Sequence, residues 1–243
     1  MTELAVLADP PHPGVLGSMA DHPGLSATAR EQLYVAMLRD VCLAADSSGG
    51  TLLVNYRPAT AVEGVEDSET ALRGHLDDIV PDARYEVQVG ESFAGRVGNT
   101  VSHLLEQEDV TSVAVFEPSA ALVTRQIIDQ AAMKLRLNDM VLGHAEDGRI
   151  YFAAFSMPLD FEDAYAAPAL STLVERGLEA GASVGFAPLQ PIIETAADLA
   201  AAMMLIDSRR QAALTVPGNL VAALDELPLE VGVATDGQPV LQE

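Results

Sequence analysis

Leu4-Ala5-Val6-Leu7-Ala8-Asp9-Pro10-Pro11-His12-Pro13-Gly14 begins as an unbroken apolar run and ends in a segment with three prolines and a glycine. Consecutive apolar residues that stop at a turn suit a strand buried on both faces, the kind found in parallel sheets. The Pro-rich segment can continue neither a helix nor a central strand, so a loop must follow. Loop character extends to Gly24, and Thr28 with Glu31 then shows the spacing of a helix capping box. Leu33, Met37, Val41 and Ala44 place an apolar stripe on one helical face, Gly49-Gly50 ends the helix, and Thr51–Tyr56 reads as a second strand. Strand, loop, helix and strand in this order are the unit from which parallel sheets are built.

The alternation continues outward. Helices are expected over Glu66–Ile79, Ser92–Glu106, Ala121–Leu137, Ala169–Ala180 and Thr195–Asp207. Strands are expected at Tyr85–Val89, Ser112–Phe116, Met140–Gly143, Ile150–Phe155 and Ser183–Ala187, with an Asp147-Gly148 turn between Met140–Gly143 and Ile150–Phe155. The expected class is α/β, a mostly parallel central sheet flanked by helices in three layers, with one cleft at the carboxyl ends of the strands. Residues 1–207 make this domain, and 208–243 form an extension packed on it. In that extension Pro217-Gly218 starts a short helix, and Leu229–Val233 and Pro239–Leu241 flank Asp236-Gly237, a hairpin signal. Such a hairpin can extend its own sheet or a neighbour's, which leaves the oligomeric state open.

The chain of 243 residues carries 36 acidic and 13 basic side chains, a net charge of −23. Nucleic-acid phosphate and anionic membrane surfaces repel such a chain, so neither is an expected partner. Its 49% hydrophobic content excludes an acidic disordered chain. Lysine occurs once, at Lys134, against twelve arginines, and the acids are spread along the chain with their densest stretch at Ala61–Asp82. A uniform excess reads as adaptation to concentrated salt rather than as a binding face. The start of the chain shows no basic and apolar leader, and no apolar run reaches the length of a membrane span, so a cytoplasmic location in a high-salt organism is expected. Cys42 is alone and sits in a helical pattern, and the five histidines lack metal-ligand spacing.

The order of these pieces resembles a known family. The residues that carry the resemblance are Leu7 to Gly14, Leu33-Tyr34 and Asp40, Gln88 and Gly90, and Gly95-Arg96. Further matches are Val113–Leu122, Val141 to Gly148, Ile193-Glu194-Thr195 and Asp198-Leu199, so that about residues 4–207 are covered. The chain resembles the nucleotide-diphospho-sugar transferase-like (GT-A) fold, and within it the branch of predicted glycosyltransferases related to phospholactate guanylyltransferase and the molybdenum-cofactor guanylyltransferases. The resemblance implies that a nucleotide or nucleotide-sugar is bound by Ala8, Asp9, Pro13, Gly14, Ser18 and Arg96. It implies catalytic roles for Glu117 and Asp147, and a Mg²⁺ or Mn²⁺ ion held by Glu117, Asp147 and Glu194. A cation serves such chemistry by neutralising the leaving phosphate.

The chain departs from the family pattern at each device. A basic Lys-Thr-Arg is replaced by Gly17-Ser18-Met19, and no Lys or Arg occurs from Thr2 through Ala29. A phosphate here needs backbone amides, a metal, or a basic group from elsewhere. Pro118 stands where the metal-binding Asp belongs, with Glu117 one position away. Glu117 is then either a substitute ligand or an ordinary carboxylate at a strand end. Arg149 replaces the second glycine of an Asp-Gly-Gly turn, where it either blocks the approach or binds phosphate, and Glu194 keeps a late acid. These departures support a second expectation, a catalytically inactive relic that serves as a binding or scaffold protein and needs no metal.

Overall fold

The apolar runs become the strands of one sheet in the computed structural model, which describes residues 2–235 and 237–242. Its strands are β1 (Thr2–Ala8), β2 (Thr51–Tyr56), β3 (Arg84–Val87), β4 (Ser112–Phe116), β5 (Met140–His144), β6 (Ile150–Phe155) and β7 (Val184–Ala187), in the order β3-β2-β1-β4-β6-β5-β7. All pairings are parallel except those of β6, which runs antiparallel to both β4 and β5. The tight Asp147-Gly148 turn is the cause: so short a link joins only antiparallel neighbours. The chain moves outward from β1 to β3 and then returns to lay β4 on the other side of β1. That reversal opens a crevice beyond the carboxyl ends of β1 and β4, the position where ligands bind in open α/β sheets.

The helices are α1 (Ala27–Asp46), α2 (Ser68–Leu76), α3 (Phe93–Glu106), α4 (Arg125–Lys134), α5 (Ala169–Glu179), α6 (Ala196–Gln211) and α7 (Gly218–Asp225). Alternation along β1 sends Leu4, Val6 and Ala8 to a core shared with α1, α2 and α4, and Ala5 and Leu7 to a core shared with α3 and α5. A further apolar cluster joins Met19, Leu25, Leu33 and Met37 to Leu199, Ile206, Leu220, Leu224 and Leu241. Through it α6, α7 and the hairpin of β8 (Glu230–Val233) and β9 (Pro239–Gln242) pack behind the Pro-Gly loop. The hairpin is a separate two-stranded sheet and adds no strand to the central one. Asp236, half of the expected turn signal, lies outside the described residues, and Gly237 has φ 84°. Among the described residues no helix is long and apolar enough to cross a membrane.

Several helix boundaries differ from expectation, and α6 continues to Gln211, past the expected end at Asp207 and into the expected extension. The cap of α1 is Ser26, whose hydroxyl accepts the Ala29 N–H at 3.2 Å, so the Thr28–Glu31 capping box does not form. Leu25 is fully buried and anchors the entry one residue earlier than Ser26, which leaves Thr28 inside the first turn. The acidic helix starts after Asp67 and stops at Leu76, where Ile79 and Val80 close a turn on the Leu76 carbonyl ahead of Pro81. The helix expected from Ala121 begins only at Arg125, because Ala121 and Leu122 enter one core cluster and Val123 another.

Candidate active site

The sequence builds the Pro-Gly loop around a cation of its own. Arg30, buried in the first turn of α1, donates to the carbonyls of Leu25 at 2.9 Å, Pro13 at 3.2 Å and Val15 at 3.4 Å. Tyr34, one turn on, accepts the Asp9 N–H at 2.7 Å and donates to the Asp9 carbonyl at 2.8 Å. Buried peptide groups of an irregular loop need such partners. Leu16 takes a left-handed conformation (φ 51°) and starts the turn Gly17–Met19. That turn sends Met19 into the core and Ser18 toward the crevice, where its hydroxyl donates to the Glu194 carbonyl. Met19 is therefore a core residue at the position where a basic side chain would face phosphate.

The crevice consists of two adjoining cavities of about 230 Å³ each. Asp9, Ser18, Gln88, Arg96, Glu117 and Glu194 line the polar one. Phe93, Tyr151, Phe152, Tyr165, Pro168, Asp147 and Arg149 line the second, with Glu117 and Glu194 again at its edge. Glu117 thus sits at the seam. Pro118 opens a tight turn directly after β4, and this places the Glu117 side chain at the strand's carboxyl end. Its carboxylate accepts no hydrogen bond from the described residues. Burial, together with Glu194 and Asp9, pushes its pKa up to about 7 against the pull of Arg96.

Arg96 projects from the first turn of α3 into the polar cavity. It donates to the Glu91 carbonyl at 3.3 Å, its Nε is buried without a partner, and no described carboxylate lies within 4.0 Å of it. Burial and the neighbouring Arg57 hold its pKa below the ordinary value. Arg57, just past β2, pairs with Asp9 at 3.3 Å. Arg96 thus brings a basic group from outside the loop to the polar cavity, whereas Arg57 lines neither cavity. Gln88 donates to the carbonyls of Asn55 at 2.7 Å and Ala8 at 3.5 Å, which fixes the orientation of its amide and leaves the buried Oε1 unpartnered beside the cavity.

The acidic side of the crevice is tied down by Arg149. Its guanidinium grips both oxygens of Asp198 at 2.8 and 2.9 Å and one oxygen of Glu194 at 3.2 Å. Asp198 also closes the capping box of α6 with Thr195. Burial raises its pKa, but Arg149, the Thr195 side chain and the Glu194 amide outweigh that and hold it below the usual carboxylate range. Asp147 has φ 58°, a left-handed turn position that aspartate tolerates, and it lines the second cavity.

Of the residues singled out from the sequence, the fold brings Asp9, Ser18, Arg96, Glu117 and Glu194 to the polar cavity and Asp147 to its neighbour. Ala8, Pro13 and Gly14 line neither; the carbonyls of Ala8 and Pro13 serve Gln88, Arg57 and Arg30. Gln88 and Asp198 lay within the matching stretches without being picked, and Arg57 had no signal in the sequence. The implied divalent cation does not fit the acids expected to hold it. Among the described residues, the metal-capable side chains whose ligand atoms all lie within 4.8 Å are Glu86, His103 and Glu108, not Glu117, Asp147 and Glu194. Arg84 already donates to two of that other set, Glu86 and Glu108.

No family model matches the chain, and no curated protein matches it by sequence. Solved structures do resemble it. A protein of Desulfovibrio desulfuricans G20, provisionally assigned as a nucleotide-diphospho-sugar transferase, superposes with a TM-score of 0.75 at 17% identity over 92% of this chain and 95% of its own. A cytidylyltransferase from Leptospira borgpetersenii serovar Hardjo-bovis (strain JB197) gives a TM-score of 0.52 at 10% identity, covering 93% of this chain and 94% of its own. At such identities the fold is what is shared, and it is the fold of the nucleotide-diphospho-sugar transferase-like proteins.

Proposed function

We propose that the cleft binds a nucleotide or nucleotide-sugar, and that the chain is a glycosyl- or nucleotidyl-transferase of the branch related to phospholactate guanylyltransferase. Arg96 carries this reading. Acids outnumber bases 36 to 13 in this chain, yet a half-buried arginine in the main crevice forms no ion pair among the described residues. A phosphate ester supplies the missing anion in a charge-assisted hydrogen bond. The unpartnered Gln88 Oε1 in the same cavity accepts from a base N–H, and the aromatic cavity beyond Glu117 receives the transfer partner.

In that arrangement Glu117 takes the proton of the acceptor hydroxyl. The acceptor oxygen forms its bond to the anomeric carbon or phosphorus, and the leaving phosphate departs with the bonding pair toward Arg96. A carboxylate with a pKa of about 7 suits this work at neutral pH. A second reading, a nucleotide-binding protein without transfer, is favoured by Arg149, which occupies Glu194 and Asp198. Turnover separates the two.

Calorimetry in molar KCl with a panel of nucleotides and nucleotide-sugars tests the binding. One member is expected to bind at a single site, and Arg96→Gln is expected to weaken it roughly 10- to 100-fold, the worth of one charged hydrogen bond. Failure of every member to bind at millimolar concentration overturns the reading.

A further inference from the structure

We infer that Arg149 is a built-in cation standing in for the divalent metal of this fold, so that the cleft takes its phosphate-bearing ligand without a metal ion. The ligand half of this inference rests on the nucleotide reading above; the metal half does not.

The geometry of Arg149 carries it. The residue follows directly on the left-handed Asp147-Gly148 turn, and its own carbonyl accepts the Ala145 N–H at 2.9 Å, which fixes the backbone from which the side chain leaves. Nε donates to the Glu146 carbonyl at 3.3 Å, Nη1 to Glu194 and Asp198, and Nη2 to Asp198. Only one N–H of the guanidinium remains uncommitted. The two-pronged contact with Asp198 is the strongest geometry an arginine and a carboxylate can adopt. Asp198 Oδ2 also accepts the N–H groups of Glu194 and Thr195. A metal ion approaching these acids must displace a guanidinium that already satisfies them.

The remaining acids do not make an alternative site. Asp9 is engaged with Arg57, and Glu117, Asp147 and Glu194 do not converge. Arg149 therefore neutralises the acidic wall, and Arg96 across the cleft is left to meet the phosphate. A glycine at position 149 would reopen the wall, whereas the present side chain closes it.

Mn²⁺ alone, titrated into the full chain and followed by electron paramagnetic resonance, tests the metal half. The wild-type protein is expected to show no stoichiometric site in the cleft at 1 mM Mn²⁺, and Arg149→Gly and Arg149→Gln to gain one with at least about tenfold tighter binding. Arg149→Lys, which keeps the charge, is expected to gain none. A stoichiometric site in the wild-type protein that persists in His103→Ala, and so lies outside the Glu86, His103 and Glu108 cluster, overturns the inference, as does failure of both neutral variants, shown folded by circular dichroism, to bind Mn²⁺. For the ligand half, the nucleotide found by calorimetry is remeasured with EDTA and with Mg²⁺. Affinities within about threefold of each other are expected. Binding that requires Mg²⁺ overturns the inference, while no binding under either condition overturns the nucleotide reading and leaves the Mn²⁺ result to decide this one.

Discussion

Glu117 joins the chemistry of the cleft to the stability of the fold. Its pKa is raised from 4.5 to about 7, chiefly by burial. Below the ordinary value the carboxyl is neutral in both folded and unfolded chains and costs nothing. As pH rises through about 7, the folded state must hold an ionised, half-buried carboxylate with no hydrogen-bond partner, and stability is lost. Glu117→Gln is therefore expected to melt like the wild type near pH 4 and to be more stable near pH 8 by on the order of 1–3 kcal/mol. Thermal melts across that range check it; equal melting temperatures at the alkaline end would mean that the carboxylate is well solvated. In the transferase reading the same variant loses turnover, and wild-type turnover rises with pH through about 7. Residue by residue, legibility in the sequence followed chemical type. Glu117, Asp147, Glu194 and Arg96 could be singled out because carboxylates and a lone arginine beside turn signals stand out. Arg57 and the loop-filling role of Arg30 could not, because both depend on which carbonyls and carboxylates the fold brings near them from distant segments.

At the scale of the element, α7 depends on a side chain far away in sequence. Pro217 and Gly218 open this short helix without a capping side chain of their own. Asp40, buried in the middle of α1, supplies the cap instead. It accepts the backbone N–H groups of Asn219 at 3.1 Å and Leu220 at 2.7 Å, and the Asn219 amide at 2.9 Å. Burial raises the Asp40 pKa, and these donors and Arg39 oppose that. Asp40→Ala leaves the buried Leu220 N–H without a partner and is expected to cost about 2–4 kcal/mol, with Asp40→Asn losing about half as much. Urea unfolding with an unchanged slope checks it; a loss below about 0.5 kcal/mol would show that α7 is held by its apolar contacts alone. Such a cap explains why elements were legible to different degrees. Strands such as Ser112–Phe116 and Ile150–Phe155 announced themselves as apolar runs between turns, and the structure returns the same bounds. Helix starts were harder, because the Thr28–Glu31 spacing pointed to a cap two residues too late, and the burial of Leu25 goes with a cap at Ser26 instead.

For the whole molecule the governing quantity is the charge of −23. Most of its arginines are already committed. Arg39, Arg73, Arg84, Arg125, Arg176 and Arg210 each pair with a carboxylate, usually at the surface. Surface pairs of this kind contribute roughly 0–1 kcal/mol each and weaken in salt. The unpaired majority of carboxylates repel one another over the Debye length, about 10 Å at 0.1 M salt and about 3 Å at 1 M. Raising the salt therefore removes two opposing effects, and with 36 acids against 13 bases the loss of repulsion outweighs the loss of pairing. The urea midpoint is expected to rise steeply with KCl and to level off near 1 M, where screening is complete. Sulfate acts additionally by exclusion from the protein surface, so its effect is expected to keep climbing after that of KCl has flattened. A midpoint that stays level or falls as KCl rises from about 0.1 M to 1 M would mean that the surface ion pairs, not the repulsion, dominate. Arg149 and Asp198 provide the internal control. Their contact is partly buried, with 28% and 14% of the side chains exposed, and screening reaches it least. The stability lost in Asp198→Asn is thus expected to be nearly the same at low and high salt, while that lost in Asp78→Asn, at an exposed pair, shrinks toward zero.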